Sequence, residues 1–191
     1  MKIAECQTLF TTTLSTTRIS APESTPINKI AALVLEMARA YESDGITFVV
    51  SGDPVNALAG FYYGFGWLHF GLSSGLLTIT TSPRCPFWEP QEVLQPPHKK
   101  KLEEKTCRYA HLLDIALSSV KCAPDPATVS HGFAKRIHSV AVVYARRGNY
   151  HVKSGSLEDA LASFSYGHGW LDAGVTAGLF RIVAERDLFT V

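Results

Sequence analysis

Two ionisable side chains, His168 and Asp172, lie four residues apart and form the arrangement in this sequence that is best suited to chemistry. In a helix, residues at this spacing share one face. The carboxylate could orient the imidazole for proton transfer, or the two groups could bind a metal ion together. The alternative, which we favour, is a polar pair without a catalytic role, because two ligands do not complete a metal site.

Matched aromatic residues could stack on a flat ligand, although aromatic pairs more often anchor a helical core or an interface. We prefer packing, and we predict no catalytic residue, metal site or cofactor. The candidate ligand or interface residues are Tyr41, Trp67, His69, Tyr144, His168, Trp170 and Asp172.

Two sets of glycines recur with spacings of seven and four residues, which would place each set on one face of a helix. Glycine costs roughly 1 kcal/mol in a helix interior, so its repeated use there suggests a close approach by another helix. Close helix packing is therefore predicted at Gly64, Gly71, Gly75, Gly167, Gly174 and Gly178.

A run of basic residues, Lys99, Lys100, Lys101 and Lys105, could contact RNA. The net charge is only +1, and no RNA-binding motif with interleaved aromatic residues accompanies the lysines. A solvated helix start is the preferred interpretation, and nucleic acid is not expected as a partner.

Charged residues make up 18% of the chain, which is below the usual quarter, while hydrophobic residues make up 46%. A chain so poor in charge is expected to bury surface against itself or against a second chain. Its four cysteines form no CxxC pair, and the first residues do not resemble a secretory signal. Reduced thiols in a cytoplasmic protein are therefore expected.

The segment 61–80 imitates a membrane span, since His69 is its only ionisable residue. Its counterpart in the second half, 164–183, contains His168, Asp172 and Arg181. Because charges near the middle of a span are costly, we expect both segments to be buried helices and no membrane association.

An internal duplication organises the chain, because residues 52–77 align with residues 155–180 without a gap when 103 is added to each number. Thirteen of these 26 positions are identical, Trp67 and Trp170 among them. Proline follows a capping residue at Thr25-Pro26 and Asp53-Pro54, which predicts two helix starts, and Ser156 is predicted to cap the matching helix of the second half. Each copy thus indicates three helices, the first of which is predicted in the N-terminal copy mainly from the repeat.

The second copy resembles a family of archaeal proteins of unknown function, DUF357, in its leading helix, 108–124, and in the block Gly-Trp-Leu-Asp-Ala-Gly at 169–174. The first copy is similar but diverged, with His69 at the position of Asp172. The resemblance implies a three-helix bundle in a cytoplasmic archaeal protein, and it supplies no catalytic residues.

The sequence therefore predicts an all-α protein of two tandem three-helix bundles packed as a pseudo-twofold pair. The expected bounds are 2–80 and 105–186, joined by a proline-rich connector over 81–104. We expect a non-enzymatic interaction or scaffold module with a protein partner or self-association. Two alternatives stay open: a small-molecule or metal site near Tyr144, His168, Trp170 and Asp172, and an RNA-associated accessory module.

Overall fold

The computed structural model describes residues 2–80 and 93–190, which form six α-helices and four very short strands. The helices are α1 (Ile3–Thr16), α2 (Pro26–Val50), α3 (Pro54–Ser73), α4 (Lys99–Ser118), α5 (Val129–Ser154) and α6 (Leu157–Thr176). The strands are β1 (Arg18–Ile19), β2 (Leu77–Thr78), β3 (Val120–Cys122) and β4 (Phe180–Ile182). The all-α prediction is confirmed, since the strands contribute only a few residues.

The two halves repeat the same elements at a constant separation, which confirms the internal duplication. The helices α2 and α5 begin 103 residues apart, and so do α3 and α6. The turns repeat as well: Gly52 and Gly155 both adopt a positive φ, of 73° and 79°, between the second and third helices of their units. Since glycine populates this conformation without steric cost, the same turn recurs although the neighbouring residues differ.

A two-stranded antiparallel ribbon ties the end of the first helix to the end of the third helix in each unit. In the first unit β1 pairs with β2, with Ile19 opposite Leu77, and in the second unit β3 pairs with β4, with Cys122 opposite Phe180. The sequence analysis did not predict these ribbons, because two or three residues are too few to show an alternating pattern.

The threonine-rich first helix is confirmed, although threonine is a weak helix former. Several hydroxyls donate to backbone carbonyls of the preceding turn, including Thr8 to Ala4 at 2.9 Å and Thr13 to Leu9 at 2.7 Å. The apolar face of α1 supplies Phe10, which is completely buried. Tertiary packing thus stabilises a segment whose local preference for helix is low.

The three predicted capping residues are the N-cap residues of their helices. Thr25 accepts a hydrogen bond from the Asn28 amide, and Asp53 accepts one from the Asn56 amide, each at 3.2 Å. Ser156 differs from them in that its side chain makes no capping hydrogen bond. Helix α6 begins with Glu158 and Asp159 in its first turn, and these carboxylates complement the helix dipole instead.

Helix α4 begins within the segment that was expected to be an irregular connector. A 3₁₀ turn covers Pro96–His98, and α4 starts at Lys99, so that 99–104 are helical rather than irregular. The part of the connector over 81–92, including Cys85 and Trp88, lies outside the described residues.

The units pack together as a pair through α3 and α6, whose mutual contact is more extensive than that of any other two helices in the described chain. Lys101 in α4 bonds Asp53 at the start of α3, and Thr106 of the same helix bonds the Leu157 carbonyl at the start of α6. Equivalent residues meet reciprocally across this contact, since Tyr63 bonds Asp172 and its equivalent Tyr166 bonds His69, the equivalent of Asp172. The predicted pseudo-twofold pair is thereby confirmed.

Within residues 2–80 and 93–190, none of the helices combines the length and the apolar content of a membrane-spanning segment.

Candidate functional site

The closest contact between the units is formed by two glycines at equivalent positions, Gly66 and Gly169. A Cβ atom placed on Gly66 would lie 2.6 Å from the carbonyl oxygen of Tyr166 and 2.9 Å from the Cα of Gly169. In the reverse direction, a Cβ on Gly169 would collide with the backbone of Tyr63. The backbones of α3 and α6 therefore touch, and only glycine fits at either position.

These two glycines were not predicted, because they lie outside the spacing of seven and four residues that the other glycines share. Four of the predicted positions, Gly64, Gly71, Gly167 and Gly174, do lie in helices, where an added Cβ would meet atoms of their own unit. These are side-chain atoms, except that a Cβ on Gly167 would also lie 3.3 Å from the Ala141 carbonyl oxygen. For example, a Cβ on Gly71 would lie 2.8 Å from Cγ of Leu77. The contact of two backbones across the unit interface lies instead at Gly66 and Gly169.

Gly75 and Gly178 require a correction, since they do not lie within helices. Both follow the end of the third helix, both have a φ of +74°, and a Cβ added to either would meet no other atom within 4 Å. Their role is the left-handed turn that leads into β2 and β4. The helical spacing was coincidental at these positions.

A buried polar cluster surrounds Asp172, whose side chain has no exposure to solvent. The carboxylate accepts hydrogen bonds from the hydroxyl of Tyr63 in the other unit, at 2.6 Å, and from the backbone N–H of Thr190, at 3.1 Å. The Thr190 hydroxyl donates to it as well. Asp172 thus connects the second unit both to the first unit and to the end of the chain.

His168 also belongs to this cluster, because it shares a face of α6 with Asp172 as predicted. Its ring, however, is bonded to the segment near Leu188. One ring nitrogen is bonded to the backbone of Leu188, and Nε2 is buried without a hydrogen-bond partner. Burial lowers the pKa of His168, and this effect outweighs the opposing influence of Asp172. A neutral imidazole is therefore expected at physiological pH.

Tyr41 extends the cluster toward α2, and its ring centroid lies 4.5 Å from that of Tyr63. Burial raises the pKa of Tyr41 to about 12, with a further contribution from the charge of Asp172. Burial and then Asp172 also raise the pKa of Tyr63 well above its usual value. Both phenols stay protonated at neutral pH, so that Tyr63 acts as a hydrogen-bond donor.

The duplication produces a second cluster in which an imidazole replaces the carboxylate. His69, equivalent to Asp172, has its Nδ1 2.7 Å from the hydroxyl of Tyr166, which is the equivalent of Tyr63. The ring centroid of Tyr144 lies 4.4 Å from that of Tyr166, as Tyr41 does in the first cluster. Each tyrosine pair therefore meets a polar residue of the opposite unit.

The pKa of His69 offers a test of this second cluster, since burial lowers that pKa from 6.5 to about 4. Between these two pH values the unfolded chain binds a proton that the folded chain does not, so stability falls as the pH falls. We expect His69→Gln to reduce the uptake of protons on unfolding by about one in this window. Urea unfolding at pH values from 4.5 to 7 measures the change. The loss of stability at low pH that comes from the lowered pKa of His168 should persist in this variant.

Tyr166→Phe provides the control, since it removes the hydrogen bond to His69 but keeps the imidazole. Tyr166→Phe should be less stable than the wild type at every pH. Its free energy of unfolding should depend on pH with a slope similar to that of the wild type. If the free energy of unfolding of His69→Gln depended on pH as steeply as that of the wild type, the lowered pKa of His69 would be contradicted.

The two tryptophans occupy similar buried positions, with relative exposures of 0% for Trp67 and 6% for Trp170. In both, the indole Nε1 is buried without a hydrogen-bond partner. Trp170 also forms part of the wall of a pocket of about 370 Å³, together with Phe133, Arg136 and Ser73. His168, Asp172 and Tyr144 do not line this pocket.

Two of the four lysines in the basic run have partners within the protein. Lys101 forms an ion pair with Asp53 at 2.6 Å, and the ammonium group of Lys105 lies 5.0 Å from the ring centroid of Tyr109. Burial lowers the pKa of Lys105. Lys101 thus links α4 to the start of α3, whereas Tyr109 belongs to the same helix as Lys105.

In the described part of the chain, no three His, Cys, Asp or Glu side chains lie close enough together to hold a metal ion. Cys6, Cys107 and Cys122 are free thiols. Cys6 is buried, and this raises its pKa to about 12.

Comparison with known families identifies the repeat unit. The family model described as a protein of unknown function (DUF357) matches the chain twice, at residues 7–77 and 108–180. The chain belongs to the DUF357 family. Neither a curated protein nor a solved structure matches it. The two DUF357 copies coincide with the two structural units, and the predicted resemblance is confirmed for both.

The DUF357 copies differ at the positions that meet across the unit interface. Asp172 in the second copy corresponds to His69 in the first, and His168 corresponds to Phe65. The glycines at the crossing and the paired tyrosines are the same in both copies. The duplication thus keeps the apolar and glycine contacts and changes the polar residue that each tyrosine meets.

Proposed function

We propose that this DUF357 protein is a non-enzymatic interaction module whose units associate through the helix that carries Gly66 or Gly169. The support comes from the symmetry of the contact, in which each glycine meets its own equivalent and each tyrosine crosses to the other unit. A self-complementary surface of this kind is what an isologous dimer uses. Here the two halves of the interface belong to one chain.

One observation carries the proposal: the side chain best suited to catalysis, Asp172, is fully buried and bonded to both Tyr63 and Thr190. A catalytic carboxylate must reach its substrate. This carboxylate instead connects three segments of the chain. The polar residues that suggested chemistry in the sequence therefore support association.

We also propose that the protein resides in the cytoplasm of an archaeon. The free thiols of Cys6, Cys107 and Cys122 fit a reducing compartment. The partner in this proposal is a second DUF357 unit or another protein with a matching helix. The unit bounds we propose are those expected from the sequence, 2–80 and 105–186.

Association of the units can be tested in the full chain by placing a protease cleavage site between residues 86 and 87. After cleavage of the folded protein we expect the two halves to elute together in size-exclusion chromatography at micromolar concentration. A labelled half from a second preparation should exchange into the complex, which shows association between separate chains.

Halves that separate after cleavage while each retains its helical circular dichroism would refute the proposal. As a matched comparison, Gly132→Ala lies on an exposed part of α5, where the added methyl group would meet no other atom within 4 Å, and it should not change the elution. The Gly169→Ala variant should weaken the association.

A further inference from the structure

Residues 184–190, which we call the tail, lie beyond both DUF357 matches and contact Tyr63 of α3 and His168 and Asp172 of α6. Residues 184–187 are exposed, whereas Leu188 is half-buried and Phe189 is buried. The surface that receives the tail, which we call the tail groove, is formed by Tyr63, His168 and Asp172. The tail thus behaves as a short segment with an exposed linker and a docked end.

Both the backbone and the side chains of the tail are recognised in the tail groove. Asp172 accepts from the amide and the hydroxyl of Thr190, and a ring nitrogen of His168 bonds the backbone of Leu188. The Phe189 ring meets the imidazole of His168 edge-on, at 6.5 Å between centroids. Bonds to the main chain with a contact for one large side chain are the means by which proteins bind extended peptides.

The linker that precedes Leu188 contains a strained backbone conformation, and release of the tail from the groove would relieve this strain. Glu185 has a φ of 48°, and among the described residues it is the only non-glycine residue with a positive φ. Such a conformation costs about 1 kcal/mol. The groove also contains the buried Nε2 of His168, which the tail leaves without a partner. The tail therefore fits the groove but does not satisfy all of its polar atoms.

We infer that the tail groove is a peptide-binding site, which the chain's own tail occupies and keeps closed to other segments. The partner that it fits is an extended segment of another protein with an aliphatic residue, an aromatic residue and a threonine or serine in succession. Such a segment reproduces the contacts of Leu188, Phe189 and Thr190. Binding requires displacement of the tail, so access to the groove is regulated by the chain itself.

The test uses the full chain and a fluorescent peptide that corresponds to residues 184–191. In the wild-type protein the tail competes at an effective concentration on the order of millimolar, because its linker is short. We expect the double variant Phe189→Ala, Thr190→Ala to bind the peptide at least tenfold more tightly than the wild type, as measured by fluorescence anisotropy. A peptide that carries Thr190→Val should lose most of this affinity.

Two results would overturn the inference: a folded double variant that binds no peptide, or equal binding of the Thr190→Val peptide. If the double variant does not fold, hydrogen exchange in the wild-type protein tests the inference instead. Excess unlabelled peptide should then accelerate exchange of the Thr190 amide, which is bonded to Asp172. An unchanged exchange rate at millimolar peptide would equally reject a shared groove.

Discussion

Gly66→Ala is expected to destabilise the protein by about 2 kcal/mol, although the same change in an open helix position is favourable. The added methyl group would lie 2.6 Å from the Tyr166 carbonyl oxygen and 2.9 Å from the Gly169 Cα. Both are backbone atoms, which cannot rotate away as the end of a side chain could. The units must therefore move apart, and the hydrogen bond between Tyr63 and Asp172 should weaken with them.

Gly60→Ala is the matched control, since Gly60 lies in the same helix and a Cβ added there would have its nearest neighbours at 3.8 Å. This variant gains the helix preference of alanine, up to about 1 kcal/mol. The two substitutions should thus differ by roughly 3 kcal/mol in urea unfolding. Equal stabilities would show that the backbones of α3 and α6 do not touch in solution.

The helices and the duplication could be predicted from the sequence because their signals are local or repeated. Thr25 and Asp53 precede prolines at helix starts, and both caps are present. The first helix, by contrast, could be inferred only by comparison with the second copy, since its threonines carry no strong local preference. An internal repeat thus supplied information that the residues of α1 lack.

The contact between the units was harder to predict, because a helical period shows which face is apolar but not where two helices cross. Gly66 and Gly169 lie in the block Gly-Trp-Leu that both copies share, so a signal existed in the repeat itself. The spacing of seven and four directed attention to Gly75 and Gly178 instead. A glycine spacing does not distinguish a close approach of backbones from a left-handed turn.

The surroundings of Asp172 could not be predicted from local pattern at all. Tyr63 is separated from Asp172 by 109 residues, and Thr190 belongs to a tail that has no counterpart in the family match. The predicted face shared by His168 and Asp172 exists, but a sequence pattern does not reveal which distant segments cover it. These covering segments decide that the pair is buried and hydrogen-bonded.

Asp172→Ala is expected to lower the free energy of unfolding by roughly 3 kcal/mol, because it leaves the buried hydroxyl of Tyr63 and the part-buried amide and hydroxyl of Thr190 without an acceptor. The hydroxyl of Tyr63 loses its partner at 2.6 Å, and the amide of Thr190 loses the other carboxylate oxygen. Urea unfolding monitored by circular dichroism measures the change. The tail should also be released, which faster hydrogen exchange at Thr190 would reveal.

Tyr63→Phe separates the lost hydrogen bond from the lost packing, since it removes only the hydroxyl and should cost about 1 kcal/mol. In the double variant Asp172→Ala, Tyr63→Phe, the hydroxyl of residue 63 is absent and no longer needs an acceptor. The combined effect of both changes should therefore be smaller than the sum of the separate effects by roughly 0.5 kcal/mol or more, the usual coupling of contacting residues. Strict additivity would mean that Asp172 and Tyr63 do not bond across the units, and the association module would lose its central polar contact.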